Sequence, residues 1–408
     1  MRQVSLAIVC ALGMLTSCAS HKYLNDPGHG AFQRGDYEIA GDLFSQSAKK
    51  GRQNKLLYNL DAGTSYFNAG KFDLAIPHYL EAVKFWESKD YTSITEEAAK
   101  FAISENLKTY VGEDYERVLI HVFLALSYAG EEKLEDAQVE ARRIDELLKQ
   151  MRDKEKKQYT ESAFARWLSA LMWESSGEWD SARIDYESAY KIDPSFPGIR
   201  QDLLRSCVAS QHDERLRYWK SKFPGEKVPK YDRKKSELVV FVTMGQGPIK
   251  VPHSGDSNAL PVLYPRPWTP SHVEVKVGTQ KITKTQNVLD IEDLTKKFFD
   301  EKLRWLTARK VIGLGAKAGA AYVVAKSTKS EGLGWLTFLA LAAMDTTDLR
   351  GWNTLPATLR VLRVPLEPGF HDVSYVLKSQ SGAIIKEQKL GQKKFLPGQK
   401  IFIVLHDG

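Results

Sequence analysis

The chain has 408 residues, a formal net charge of +7 and 43% hydrophobic residues. That length supplies material for two domains rather than a single core. The positive balance is moderate and spread along the chain, without the basic tract that nucleic-acid binding needs, so no nucleic-acid partner is expected.

One positive charge, Arg2, precedes an uncharged, mostly apolar stretch from Val4 to Leu15. Spanning a bilayer takes about 20 apolar residues, so residues 1–17 read as a secretory signal peptide rather than a membrane helix. The stretch ends in Leu15-Thr16-Ser17-Cys18, an aliphatic residue, two small residues and a cysteine. That run resembles the lipobox of bacterial lipoproteins. The resemblance implies that the Cys18 thiol is diacylated and that cleavage falls just before it. A thiol is the nucleophile such a transfer needs, and two or three acyl chains anchor firmly where one binds marginally. The competing reading is an ordinary signal peptide cut after Ala19. Ala19 rather than aspartate beside Cys18 implies, by the same resemblance, an outer-membrane location facing the periplasm. Residues 18–30 are then expected to be a lipidated tether. Of the three cysteines, Cys10 is removed and Cys18 acylated. Cys207 then stands alone in the mature chain, so no intramolecular disulfide can form there.

From residue 31 to 222 the chain is periodic. Gly63, Tyr66, Gly70, Phe72, Ala75, Tyr79 and Ala82 fall at offsets 0, 3, 7, 9, 12, 16 and 19. Ala170, Trp173, Gly177, Trp179, Ala182, Tyr186 and Ala189 repeat the pattern, with Pro194 behind them. Ala125, Tyr128, Leu134, Ala137 and Ala141 form a third unit with Glu132 in the glycine position. Gly35, Tyr37, Ala40 and Phe44 form a degraded first one. These units resemble the tetratricopeptide repeat, a helix–turn–helix of about 34 residues. Small residues sit where two helices cross, aromatics fill the space beside them, and glycine allows the turn. Uneven spacing makes the solenoid irregular. Thr95–Phe101 reads as an extra helix, and Gln150–Lys157 as a lengthened one. The resemblance implies a concave groove lined by the first helix of each repeat. Its expected lining is Leu57, Leu60, Thr64, Phe67 and Asn68 from one unit, and Phe164, Trp167, Leu171 and Glu174 from another. Such a groove suits an extended or helical peptide of an envelope protein. The alternative is that these residues pack on a neighbouring repeat or on the C-terminal domain.

Residues 223–236, with Phe223-Pro224-Gly225, read as a linker. From 237 to 408 the chain turns β-rich. Leu238–Val242, His272–Val277, Thr358–Leu366, Asp372–Leu377 and Ile401–Leu405 read as strands of an antiparallel, sandwich-like domain. The expected class is therefore α+β: an all-α repeat solenoid followed by a smaller β domain. A helical insertion is expected at about 290–350. It holds an amphipathic stretch, Leu294–Arg309, and two apolar segments, Val311–Ala325 and Leu333–Met344, around the polar bend 326–331. Neither apolar segment spans a bilayer. A hairpin buried on the β domain is the plainer reading, and a membrane-associating or oligomer-forming hairpin the sharper one. Asp348, Arg350, Gly351, Trp352, Thr354, Leu355 and Pro356, with Gly245, Gly247, Pro248 and Lys250, resemble segments of uncharacterised bacterial lipoproteins that join such repeats to a C-terminal domain. The trio Asp348, Arg350 and Trp352 is a candidate site, although an Asp–Arg pair beside a Trp more often fixes a loop.

Gly313-x-Gly315-x-x-Ala318 matches a dinucleotide fingerprint only formally, since no strand precedes it. No phosphate-binding loop, zinc motif or nucleophile elbow is present, and neither cofactor nor catalysis is expected. The sequence points to a membrane-anchored scaffold or adaptor of the bacterial envelope that binds protein through its repeat groove. The alternative is a homo-oligomerising envelope or export component that uses the hairpin 311–344.

Overall fold

A computed structural model describes residues 22–89, 109–153, 162–253, 260–268, 272–282, 285–343, 348–379 and 381–406. The signal peptide, Cys18, the expected helix Thr95–Phe101 and residues 154–157 lie outside the described residues.

Among the described residues, ten helices form five consecutive pairs: α1 (Pro27–Gln33) with α2 (Tyr37–Lys50), α3 (Lys55–Asn68) with α4 (Phe72–Lys89), α5 (Asp114–Gly130) with α6 (Leu134–Asp153), α7 (Ala163–Ser175) with α8 (Trp179–Ile192), and α9 (Ile199–Ala209) with α10 (Asp213–Lys222). One device closes every pair. The residue between the helices has positive φ: Gly35, Gly70, Glu132, Gly177 and Gln211. The following amide bonds five residues back, from Asp36 to Ala31, Lys71 to Tyr66, Lys133 to Tyr128, Glu178 to Trp173, and His212 to Cys207, at 2.9–3.0 Å. This is the Schellman closure, which satisfies carbonyls orphaned at a helix end. The fifth pair lies at the end of the stretch 31–222 expected to be helical repeats, where the sequence pattern marked no unit. Within pairs the small residues are needed sterically. A Cβ on Gly63 would stand 2.6 Å from the Tyr79 ring.

The sequence suggested a tether over 18–30, but from Lys22 the described chain packs on the body. Tyr23 is fully buried and α1 begins at Pro27.

The C-terminal half is a sandwich of two four-stranded sheets. The first has the order β10 (Lys400–His406), β1 (Ser236–Met244), β7 (Thr358–Leu366), β6 (Gln286–Asp290). The second has the order β5 (Gln280–Ile282), β4 (His272–Val277), β8 (Gly369–Lys378), β9 (Ile384–Phe395). A separate hairpin joins β2 (Ile249–Pro252) to β3 (Pro261–Tyr264). The sandwich is not wholly antiparallel, because β10 runs parallel to β1. Strand β1 is buried on both faces. Leu238, Val240, Val242 and Met244 meet Val273, Val275 and Tyr375 inside the sandwich, while Val239 and Phe241 share a core with the repeats. This two-sided burial explains why β1 reads as a continuous apolar run rather than an alternation.

Between β6 and β7 the chain forms α11 (Ile291–Thr328) and α12 (Glu331–Ala343). The Asp290 side chain caps α11 by accepting from the Asp293 amide at 2.8 Å, with Glu292 and Asp293 in the first turn. The amphipathic stretch and the first apolar segment are continuous. Gly313 and Gly315 weaken a helix without ending it, so the amphipathic and apolar stretches merge into one helix of 38 residues, ~57 Å long at 1.5 Å per residue. It ends at Lys329, whose φ is 52°.

Candidate functional site: a filled groove and an exposed hairpin

The residues expected to line the groove are covered, Phe67 by Phe72 and Phe123 of the repeats, and Thr64, Trp167 and Glu174 by the chain's own C-terminal half. Every expected lining residue except Asn68 is buried, and Asn68 is half-buried at the end of α3. The groove as an open surface is therefore corrected. At one end its occupant is the segment 348–355. At the other it is the outer face of the first sheet.

The segment is held as a ligand would be. The Trp352 ring lies against Phe123 and Tyr79, with centroids 5.5 and 6.0 Å away. Its Nε1 donates to Thr64 Oγ1 at 2.8 Å and its backbone N–H to Glu116 Oε1 at 2.7 Å. Thr354 Oγ1 donates to Asp61 at 2.8 Å. Arg350, fully buried, forms a two-pronged pair with Asp348 at 2.8 Å on each prong and donates to Asn54 Oδ1 at 2.9 Å. Asp348, Arg350 and Trp352 are thus brought together, with a structural role: the Asp–Arg pair shapes the loop and the indole anchors it.

The glycine motif serves the same knot. The Gly247 amide donates to the Leu355 carbonyl at 2.7 Å. Gly245 has φ of 66° and faces Trp268, where a Cβ would stand 2.5 Å from the ring. Lys250 donates to the Arg350 carbonyl at 2.8 Å and pairs with Glu113, which also receives Lys302 of α11 at 2.7 Å. Arg266, which sequence reasoning missed, donates to the Asn353 carbonyl at 2.8 Å.

Burial sets the charge states here. It pushes Asp61 up to about 7, and Glu116 also to about 7 with the help of Glu113. Burial would raise Glu113 as well, but Lys250 and Lys302 outweigh it and hold that carboxyl at about 2. The Tyr23 hydroxyl lies 2.7 Å from Asp61 Oδ2 and 2.6 Å from the Gly351 carbonyl. One hydroxyl proton cannot serve both acceptors well. A protonated Asp61 resolves this, donating to the Tyr23 oxygen while Tyr23 donates to Gly351.

At the other end, Trp167 meets Phe241 of β1 at 6.4 Å and donates to Asp202 at 2.8 Å. Glu174 is the hub of a buried ion network. Arg363 of β7 reaches it at 2.5 Å, Lys400 of β10 at 3.0 Å and Arg205 of α9 at 3.0 Å. Burial opposes ionisation of Glu174, and these three cations outweigh it, holding the carboxyl well below its usual range.

The hairpin contrasts with this. Phe298 packs near Tyr115 at 6.4 Å and Lys302 reaches Glu113, so the start of α11 is seated on α5. Further out, Tyr322 is 66% exposed, Val323 63%, Trp335 63% and Leu336 61%. The two helices touch closely at Gly334, where a Cβ would meet the Ala325 Cβ at 2.6 Å and the Ala321 carbonyl at 2.8 Å. The plainer expectation of a hairpin buried on the β domain is therefore corrected for these positions.

Burial pushes the Cys207 thiol up to about 11, away from reactivity. The formal dinucleotide fingerprint lies inside α11.

No protein-family model matches the chain, and no curated protein matches it in sequence. Several solved structures are similar in fold. MamA is 17% identical with a TM-score of 0.34, over 48% of this chain and 92% of its own. A kinesin-light-chain-type protein with TPR-like repeats from Podospora anserina is 15% identical with a TM-score of 0.33, over 50% and 95%. A tetratricopeptide repeat protein from Parabacteroides merdae is 16% identical with a TM-score of 0.22, over 52% and 81%. The N-terminal half is a tetratricopeptide-like solenoid. Its five inter-helix turns share one closure in register.

Proposed function

We propose that the protein is a non-catalytic, lipid-anchored structural component of the bacterial envelope that meets its surroundings through the hairpin α11–α12. In this reading the acylated Cys18 places it on a membrane, the outer one by the sorting rule. The solenoid and sandwich, locked together, form a stiff base for the hairpin. The observation that carries the reading is the exposure of Tyr322, Val323, Trp335 and Leu336 on helices rooted in a body whose groove is already filled. Exposed apolar clusters of this kind mark interaction sites. A photo-crosslinking residue at Val323 or Leu336 should give intermolecular adducts in intact cells. The same probe at Ile184, exposed on the repeats, serves as the control. Adducts at Ile184 with none from the hairpin would refute the reading.

A second reading keeps the groove as a scaffold for an envelope protein or peptide. It is favoured by the manner in which 348–355 is held, through bonds between its backbone at Gly351, Trp352 and Thr354 and the side chains of Tyr23, Glu116 and Asp61. An outside peptide would then have to displace that segment.

A further inference from the structure

The sequence of the hairpin has a definite charge. From residue 304 to 343 the sequence holds Arg304, Arg309, Lys310, Lys317, Lys326 and Lys329 against Glu331 alone. Two such hairpins repel one another, whereas a surface of the opposite sign attracts them. The apolar residues are also arranged by height. Gly334 touches Ala321 and Ala325 across the helix pair, so Tyr322 and Trp335 stand at one level. That level is about two turns below the bend at Lys329, with Lys326 between. Amphipathic aromatics in a belt beside cations suit the boundary between lipid headgroups and acyl chains. Among the described residues no helix is long and apolar enough to cross a membrane, so contact would be with one face of a bilayer.

The chain's path adds an independent argument. Tyr23 is fixed in the body by its contact with the Gly351 carbonyl. It lies five positions beyond Cys18, a reach of ~18 Å when fully extended. Gly351 in turn follows Ala343, the end of α12, by eight residues, a reach of at most ~29 Å. An acyl anchor at Cys18 thus stays within ~18 Å of Tyr23, and the end of α12 within ~29 Å of the Gly351 carbonyl that Tyr23 holds, so a helix ~57 Å long is of a length to meet the anchoring membrane.

We propose that the hairpin docks on an anionic phospholipid surface, with Tyr322, Val323, Trp335 and Leu336 entering the headgroup boundary and the flanking lysines meeting the lipid phosphates. This rests on the reading of the hairpin as the interaction surface. It makes the protein a two-point membrane binder, whose acyl chains supply retention and whose hairpin sets orientation.

The mature chain with Cys18→Ser removes the acyl contribution. It should float with vesicles of phosphatidylglycerol and phosphatidylethanolamine in equal parts, bind phosphatidylcholine vesicles weakly, and release as salt rises. Trp335→Glu with Leu336→Glu should weaken binding on the order of tenfold or more. Lys326→Glu with Lys329→Glu should weaken it and flatten the salt dependence. These positions are exposed, so melting should be unchanged. If the first pair melts lower, Val323→Glu serves in its place. A parent that floats with neither vesicle, or variants that bind as it does, overturns the proposal. Should the parent instead form an oligomer that Trp335→Glu dissolves, the partner is a second copy. The membrane proposal then fails while the hairpin remains the interaction surface. A monomer that ignores both vesicles, with variants that behave the same, removes both.

Discussion

Trp352 and Trp335 belong to one chain and have opposite surroundings. Trp352 is sealed between α3, α4 and α5, with its N–H bonded to Thr64. Trp335 is 63% exposed on a projecting helix. The contrast separates surface already used within the fold from surface still on offer. The groove that tetratricopeptide arrays present to partners is here part of the core, and the apolar face left over is the hairpin. The sharpest way to break the comparison is to truncate each indole. Trp352→Ala should cost about 3–5 kcal/mol, because it leaves a cavity between the halves and strips Thr64 of the shorter of its two donors, leaving Tyr79. Trp335→Ala should fall within about 0.5 kcal/mol of the parent, as exposed substitutions do. Denaturant unfolding measures both, and equal losses would show that the hairpin is core after all.

The repeats were legible because every unit solves the same packing problem with the same residue types. Ala75, Ala137 and Ala182 mark helix crossings, and all three are buried. The fifth pair was missed because Gln211 and Leu216 replace the glycine and alanine that carry the pattern, although the turn itself is identical. Strands β1, β4, β7, β8 and β10 showed as apolar runs or alternations. Strand β9 did not, because its residues are mostly exposed and four of them are lysines. The filling of the groove was beyond local pattern. Thr64 pairs with Trp352 across 288 positions, and periodicity says which face of α3 is apolar without saying what covers it. The motif residues Asp348, Arg350, Trp352, Gly247 and Lys250 stood out in the sequence, and the structure makes them one knot.

A milder way to sharpen the contrast is pH, which acts on the knot and not on the exposed apolar residues of the hairpin. Asp61 rises from 3.8 and Glu116 from 4.5, each to about 7, in the folded chain. Raised carboxyls mean that the folded state holds protons the unfolded chain gives up. Their contribution is complete below the ordinary carboxylate range and is lost as pH climbs through about 7. Glu113, held at about 2 by Lys250 and Lys302 against burial, acts in the opposite sense, and its contribution disappears as pH falls through that value. Stability should therefore peak between these limits, and the melting temperature should rise on acidifying from pH ~7.5 to ~5. Asp61→Asn mimics the protonated acid, with an amide to donate to Tyr23 and an oxygen to accept from Thr354. It should flatten that rise by removing one of the two groups. A rise that is unchanged in the variant would mean that Asp61 is ionised in the folded chain, and that the two contacts of Tyr23 are satisfied another way.

The smallest expected effect lies in the repeats, at the turns that hid part of the pattern. Glu132 and Gln211 hold φ of 59° and 57°, a region that disfavours side chains with a Cβ. Gly35, Gly70 and Gly177 occupy the same place in the other pairs at 71–80°. Neither side chain is required by the closure, which uses only backbone atoms of the turn. Glu132→Gly and Gln211→Gly should each stabilise the protein. The gain should be a few tenths of a kcal/mol to about 1 kcal/mol, because relief of left-handed strain exceeds the extra entropy glycine adds to the unfolded chain. Calorimetric melting of the two variants and their double checks this. The sites lie in separate pairs without a shared partner, so the gains should add. A loss at either turn would show that its side chain makes a contact worth more than the strain, and that the glycine was replaced there for a reason.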